Sequence, residues 1–126
     1  MNFPTNIKYT KEHEWISVQK NIGTIGITDY AQGELGDVVY IDIDPNKEEV
    51  KKGESFGTIE AVKTVSDIFA PVSGKIIEVN KELTNSPEVI NSDPYGLGWM
   101  LKIEIKDQNE LGDLLNAEQY RELVDQ

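Results

Sequence analysis

Residues 57–69 read GTIEAVKTVSDIF, and this segment can be folded back on itself about its centre. Polarity alternates here more often than it repeats every three to four residues, which is typical of strands. A two-residue turn at Val62 and Lys63 would set the register of the two strands. The expected pairs are Ala61 with Thr64, Glu60 with Val65, Ile59 with Ser66 and Thr58 with Asp67. The sequence therefore predicts a β-hairpin with Lys63 at its apex.

A lysine at a hairpin tip is usually only a solvated charge, and from spacing alone that interpretation stays open. Two features favour a role for Lys63. The tip lacks the Asn-Gly or Asp-Gly pair that two-residue hairpins prefer, which suggests selection by something other than turn propensity. Small or β-branched neighbours leave the ammonium little to pair with, and the four-carbon stem gives reach to any group attached there.

The segments before this hairpin predict more strands and one helix. Residues 15–19 and 22–27 alternate in polarity around a short turn and predict a second hairpin. Residues 28–36 predict a short helix. We expect Thr28 to cap its first turn and Gly36 to close it in a left-handed conformation.

Another strand is predicted at residues 38–43, and a helix start further on. In the strand, Val39, Ile41 and Ile43 are expected to share one face. Ser86-Pro87 predicts the start of a helix, because serine caps helices and proline fits the first helical position.

The C-terminal part of the chain changes from strand to helix. Residues 99–105 alternate apolar and polar side chains and predict a half-buried strand, with Met100 expected on its polar face. Residues 109–124 then predict two short helices, with Asn116 and Gln119 as a capping pair between them.

The composition excludes several classes of function. The 126 residues fit one domain, with a core at about 7–106 and C-terminal helices at about 109–124. A net charge of −11 argues against nucleic-acid binding. The absence of cysteine excludes a disulfide framework and a thiol nucleophile, and His13 is the sole histidine. No apolar run is long enough to cross a membrane, and the N-terminus lacks the pattern of a secretory signal. We therefore expect a function that involves a partner or a cofactor.

Several motifs together resemble the glycine cleavage H-protein family. The central one is EAVKTVSD at 60–67, followed by APVSG at 70–74. The others are KY at 8–9, EHEW at 12–15, GIT at 26–28, AQ at 31–32, LG at 35–36, NS at 91–92, PY at 94–95 and GW at 98–99. They occur in the order and spacing of that family, and the resemblance runs from residue 7 to residue 124.

The resemblance implies a mostly β fold of the barrel-sandwich hybrid type, with short helices that include a C-terminal pair. It implies that lipoate is amide-linked to Lys63. By the same match, Glu60 and Gly74 correspond to positions that lipoylating enzymes read. Glu14 and Asp67 correspond to polar residues of the cleft that receives the arm when it carries an aminomethyl group.

The resemblance also implies three catalytic partners besides the lipoylating enzymes. Glycine decarboxylase, a pyridoxal phosphate enzyme, loads the arm with the aminomethyl group. A tetrahydrofolate-dependent aminomethyltransferase unloads it, and dihydrolipoyl dehydrogenase reoxidises the dithiol. The chain itself is then a carrier, not an enzyme, and we expect a monomer without a metal site. The bacterial cytoplasm is the expected compartment, or the mitochondrial matrix for a processed eukaryotic form.

The sequence also has to be compared with other classes of protein. Within the same family, a relay protein would donate lipoate to 2-oxo acid dehydrogenases. Biotin carriers and dehydrogenase lipoyl domains differ in the residues beside the lysine, since Val62 and Thr64 flank Lys63 here. A small lyase using Glu14 and Asp67 lacks a motif for a nucleophile or a metal. A passive interaction module would carry no covalent arm.

Overall fold

The strands of the chain form two sheets in a computed structural model that describes residues 1–125. One sheet has six strands in the order β1-β2-β3-β9-β8-β5. Its strands are β1 Lys8–Tyr9, β2 Glu14–Gln19, β3 Ile22–Ile27, β5 Glu49–Val50, β8 Gly74–Val79 and β9 Leu101–Ile105. The antiparallel pairing of β2 with β3 confirms the second hairpin that the sequence predicts.

The other sheet contains the central hairpin and has the order β4-β6-β7. Its strands are β4 Val38–Ile43, β6 Ser55–Ala61 and β7 Val65–Phe69. Glu60 pairs with Val65, and Thr58 pairs with Asp67. At the tip, the Ala61 amide donates to the Thr64 carbonyl at 2.9 Å. The predicted register is therefore confirmed.

The main hydrophobic core draws on both sheets. Ile25, Leu101 and Ile103 of the six-stranded sheet are fully buried. Ile59 and Ile68 of the three-stranded sheet are only 1% exposed. Burial of such side chains contributes roughly 1.5–3 kcal/mol each. The two sheets are thus held face to face by apolar contact.

A second, smaller cluster fixes the C-terminal helix α4, Ala117–Val124. The Tyr120 ring stacks on the Tyr9 ring with 4.7 Å between centroids. The helix begins with a capping box between Asn116 and Gln119, as the sequence predicts. The element before it, Gln108–Asp113, is a 3-10 helix.

The predicted helix at 28–36 is confirmed as α1, Asp29–Leu35. The Thr28 hydroxyl accepts a hydrogen bond from the Ala31 amide and so caps the first turn. Gly36 ends the helix with φ +80° and ψ −162°. The positive φ agrees with the prediction, but the extended ψ does not correspond to the left-handed helical region.

The face predicted for β4 is wrong at one position. Val38 pairs with Ala61 and Tyr40 pairs with Glu60, so Val39 is an extra residue opposite a single step of β6. Because of this β-bulge, Val39 and Ile41 do not share a face of the strand as predicted. Val38 is therefore the buried residue, whereas Val39 is 53% exposed.

Two local predictions shift by one or a few residues. Ser86 does not cap a helix with its side chain; it ends α2, Glu82–Asn85, and the next helix is α3, Val89–Ser92. Met100 is fully buried instead of lying on a polar face, because the paired strand begins only at Leu101. Across residues 1–125, no helix is both long and apolar enough to cross a membrane.

The bulge in β4 generates a test with two adjacent valines. Val38→Ala should lower the free energy of unfolding by about 2 kcal/mol, because two buried methyl groups are lost. Val39→Ala should change it by less than about 0.5 kcal/mol. Urea denaturation measures both. Equal losses in the two variants would contradict the bulge.

Candidate functional site

The tip of the central hairpin is held by backbone bonds to the end of α1 and the start of β4. The Val62 amide donates to the Asp37 carbonyl at 3.0 Å, and the Lys63 amide donates to the Leu35 carbonyl at 3.4 Å. We call residues 35–37 the lysine seat. The seat supplies a defined tip conformation to a turn whose residues have no strong turn preference.

The Lys63 side chain lies over the seat. A Cβ built on Gly36 would be 3.3 Å from Lys63 Cγ and 3.4 Å from Cδ and from Cε. The stem therefore passes across a residue that has no side chain. Lys63 is exposed, and the salt bridges found among residues 1–125 leave its ammonium unpaired. Such a lysine is accessible to an enzyme that forms an amide on it.

A cleft of about 270 Å³ lies between α1, β7 and the turn before β2. Four of its lining residues are carboxylates, and none is a lysine or an arginine. The lining residues are Glu12, His13, Glu14, Ile27, Tyr30, Ala31, Glu34, Leu35, Ile59, Ser66, Asp67 and Ile68. The cleft thus combines apolar walls with an excess of negative charge, which favours a cation.

Glu14 is the buried carboxyl group of this cleft, with 2% of the residue exposed. The Thr10 hydroxyl donates to Glu14 Oε1 at 2.6 Å, and the Phe69 amide donates to Oε2 at 3.4 Å. Burial raises the pKa of Glu14 to about 7, against the lowering effect of these hydrogen bonds. Glu14 therefore exchanges a proton near neutral pH and also ties β2 to the edge strand β7.

Asp67 has a different environment from Glu14, although both residues line this cleft. Asp67 is exposed, and its carboxylate accepts a hydrogen bond from the Thr58 hydroxyl on the neighbouring strand at 3.4 Å. One carboxyl group of the pair is thus deep in the structure, while the other is open to solvent.

His13 is a further residue of the cleft lining. Its backbone has a φ of +73°, which non-glycine residues rarely adopt. Its Nδ1 is 2.8 Å from the Tyr120 hydroxyl, which is 2.7 Å from the Thr28 hydroxyl. Burial lowers the pKa of His13. No sequence signal links His13 to Tyr120, because 107 positions separate them.

The two residues expected to be read by lipoylating enzymes lie in different sheets. Glu60 is exposed on β6, three residues before Lys63, and pairs with Val65. Gly74 begins β8 in the six-stranded sheet, and a Cβ there would be 2.5 Å from the Glu104 carbonyl oxygen. The structure therefore places Glu60 beside the tip. At Gly74 it shows that packing against Glu104 leaves no room for a side chain.

The tip and the acidic cleft are neighbours, because Leu35 accepts from the Lys63 amide and also lines the cleft. A domain with an exposed lysine at a hairpin apex and no thiol of its own is suited to carry an attached group that supplies the chemistry. A family model described as glycine cleavage H-protein matches residues 7–126. The chain belongs to this family. Glycine cleavage system H proteins of Staphylococcus haemolyticus and Staphylococcus epidermidis are 52% identical to it over 124 residues, 98% of this chain and of each relative.

A solved structure agrees with this assignment. The crystal structure of a glycine cleavage system H protein from Mycobacterium marinum matches with a TM-score of 0.90 and 37% identity, covering 98% of this chain and 100% of that one. The predicted mostly β, barrel-sandwich fold is confirmed.

Family membership establishes the role of the chain. It is the non-catalytic lipoyl carrier of the glycine cleavage system, with lipoate bound covalently to a lysine. Its partners are glycine decarboxylase, the aminomethyltransferase and dihydrolipoyl dehydrogenase. The relay interpretation has no such support.

The burial of Glu14 generates a pH test. Its pKa is raised from 4.5 in the unfolded chain to about 7 in the folded protein. The protonated carboxyl group therefore makes its full contribution to the stability of the fold below pH 4.5, and this contribution is lost as the pH rises from 4.5 through 7. The free energy of unfolding of Glu14→Gln, measured relative to that of the parent protein, should therefore be higher at pH 8 than at pH 4.5 by about 3 kcal/mol. Denaturant titrations at both values measure this.

The control for this test is Glu118→Gln, which changes an exposed carboxylate of α4. Its stability relative to the parent protein should vary little between pH 4.5 and pH 8. If the stability difference between Glu14→Gln and the parent protein is also the same at pH 4.5 and pH 8, Glu14 ionises in the folded protein as it does in the unfolded chain.

Proposed function

We propose that Lys63 is the lysine that carries lipoate. The observation that supports this most directly is its position at the apex of a hairpin, exposed and without an ion pair among the described residues. The hairpin is anchored by the lysine seat, so the tip is presented in one conformation. An exposed tip lets the arm reach several partner enzymes in turn.

Glu14 and Asp67 hold the amine of the aminomethyl cargo in the cleft. An ammonium that enters the cleft favours the ionised form of Glu14 and so lowers its pKa from about 7. The carboxylate then forms a charge-assisted hydrogen bond to the ammonium. Asp67 supplies a second carboxylate that is already accessible from solvent.

Apolar residues of the cleft limit the access of water to the bound amine. Ile59 and Ile68 are 1% exposed, Ile27 is 4% exposed, and all three line the cleft. Exclusion of water strengthens the ion pair and slows hydrolytic loss of ammonia. The carrier therefore protects its cargo without catalysing a reaction.

Glu60 offers an exposed carboxylate to the lipoylating enzymes beside the lysine that they modify. A basic group on such an enzyme is its complement. Gly74 contributes less directly, because it allows β8 to approach the Glu104 carbonyl on β9. We assign the protein to the bacterial cytoplasm, in agreement with the bacterial origin of its relatives.

The attachment site is tested by intact mass after incubation with a lipoylating enzyme. The parent protein should gain one lipoyl group, and Lys63→Arg should gain none, because a guanidinium is not acylated. Lys75→Arg, at an exposed lysine of β8, should behave as the parent protein does. Glycine-dependent release of carbon dioxide with the three partner enzymes should be lost only in Lys63→Arg. A lipoyl group found on Lys63→Arg would refute the assignment.

The cleft carboxylates are tested by the lifetime of the loaded arm. The double variant Glu14→Gln, Asp67→Asn should be lipoylated normally, but its loaded form should decay at least about tenfold faster, since two charge-assisted hydrogen bonds are lost. Release of ammonia measures the decay. The control, Glu118→Gln with Glu122→Gln, removes the same charge from an exposed helix. Equal decay in both double variants would rule out the proposed role.

A further inference from the structure

Asn91 of α3 binds the lysine seat and the residues on both sides of it in the sequence. Its Nδ2 donates to the Gly36 carbonyl at 2.9 Å and to Gln32 Oε1 at 3.0 Å. Its Oδ1 accepts from the Val38 amide at 2.8 Å. All polar groups of the side-chain amide are therefore engaged in joining α1, the seat and β4.

The backbone of the seat is shared between the hairpin tip and Asn91. The carbonyls of Leu35 and Asp37 accept from the tip amides, whereas the Gly36 carbonyl between them accepts from Asn91. Gly36 has an extended ψ, and in extended backbone successive carbonyls point in alternating directions. Asn91 thus fixes the peptide unit on which the orientation of the two tip-binding carbonyls depends.

We infer that Asn91 is a positioning residue for the arm, acting through Gly36 on the stem of Lys63. The inference rests on the proposed attachment of lipoate to Lys63. Asn91 holds Gly36 at its φ of +80°, where its unsubstituted Cα faces the lysine stem. Without Asn91 the seat can relax, and the stem then leaves the tip in many directions. A lysine in many orientations is a poorer acceptor for the lipoylating enzyme.

Asn80 provides a matched control, because its side-chain amide also donates two hydrogen bonds and accepts one. Its Nδ2 donates to the carbonyls of Leu97 and Trp99 at 3.0 and 2.7 Å, and its Oδ1 accepts from the Glu82 amide at 3.2 Å. None of these partners belongs to the lysine seat. Loss of Asn80 and loss of Asn91 should therefore destabilise the fold similarly.

The experiment compares Asn91→Ala with Asn80→Ala in the full, unmodified chain. Nuclear Overhauser effects between the Gly36 α-protons and the Lys63 methylenes report the seat directly, and thermal unfolding reports stability. We expect both variants to lose similar amounts of thermal stability. Only Asn91→Ala should lose the Gly36–Lys63 effects, and its kcat/KM for lipoylation should fall roughly tenfold. Asn80→Ala should stay within about twofold of the parent protein.

Two outcomes would overturn the inference. Retention of the Gly36–Lys63 effects in Asn91→Ala would show a purely structural role, and their equal loss in Asn80→Ala would show general loosening. If Asn91→Ala does not fold, Asn91→Asp replaces it, since it keeps the acceptor for Val38 but places oxygen against Gly36. The seat measurement needs no lipoate, so it stands apart from the mass test of Lys63.

Discussion

Two backbone hydrogen bonds between the hairpin tip and the lysine seat are the constraint on which the functional end of the molecule depends. They join the Val62 amide to the Asp37 carbonyl and the Lys63 amide to the Leu35 carbonyl. The tip has no residues that favour a tight turn by themselves. Its shape is therefore imposed from outside, by a helix end and a strand start that are far away in sequence.

The acidic cleft depends on contacts between the two sheets. Glu14 begins β2 in the larger sheet, and its carboxyl group accepts from the Phe69 amide at the end of edge strand β7. The same burial that makes this contact raises the pKa of Glu14 to about 7. A single side chain thus links the two sheets and places in the cleft a carboxyl group whose pKa is near neutral.

The composition has a chemical explanation in this arrangement. A carrier whose dithiol belongs to its cofactor needs no cysteine, and the proposed binding of an ammonium in the cleft needs carboxylates instead of lysines. The one histidine, His13, is held by Tyr120 of α4. The C-terminal helix therefore supports the cleft wall as well as covering the small aromatic cluster around Tyr9.

The central hairpin, its register and the position of Lys63 at the tip are predictable from the amino-acid sequence, because period-two alternation and a two-residue tip admit one pairing. The caps at Thr28 and Asn116 are also predictable from it, because they are local bonds.

Three features depend on tertiary contacts: the bulge that buries Val38, the contact of His13 with Tyr120 and the hydrogen bond from Asn91 to Gly36. Each of these joins segments distant in sequence or depends on how a strand meets its neighbour. Such contacts depend on the packing of two sheets around one core, and that packing leaves no local pattern in the chain.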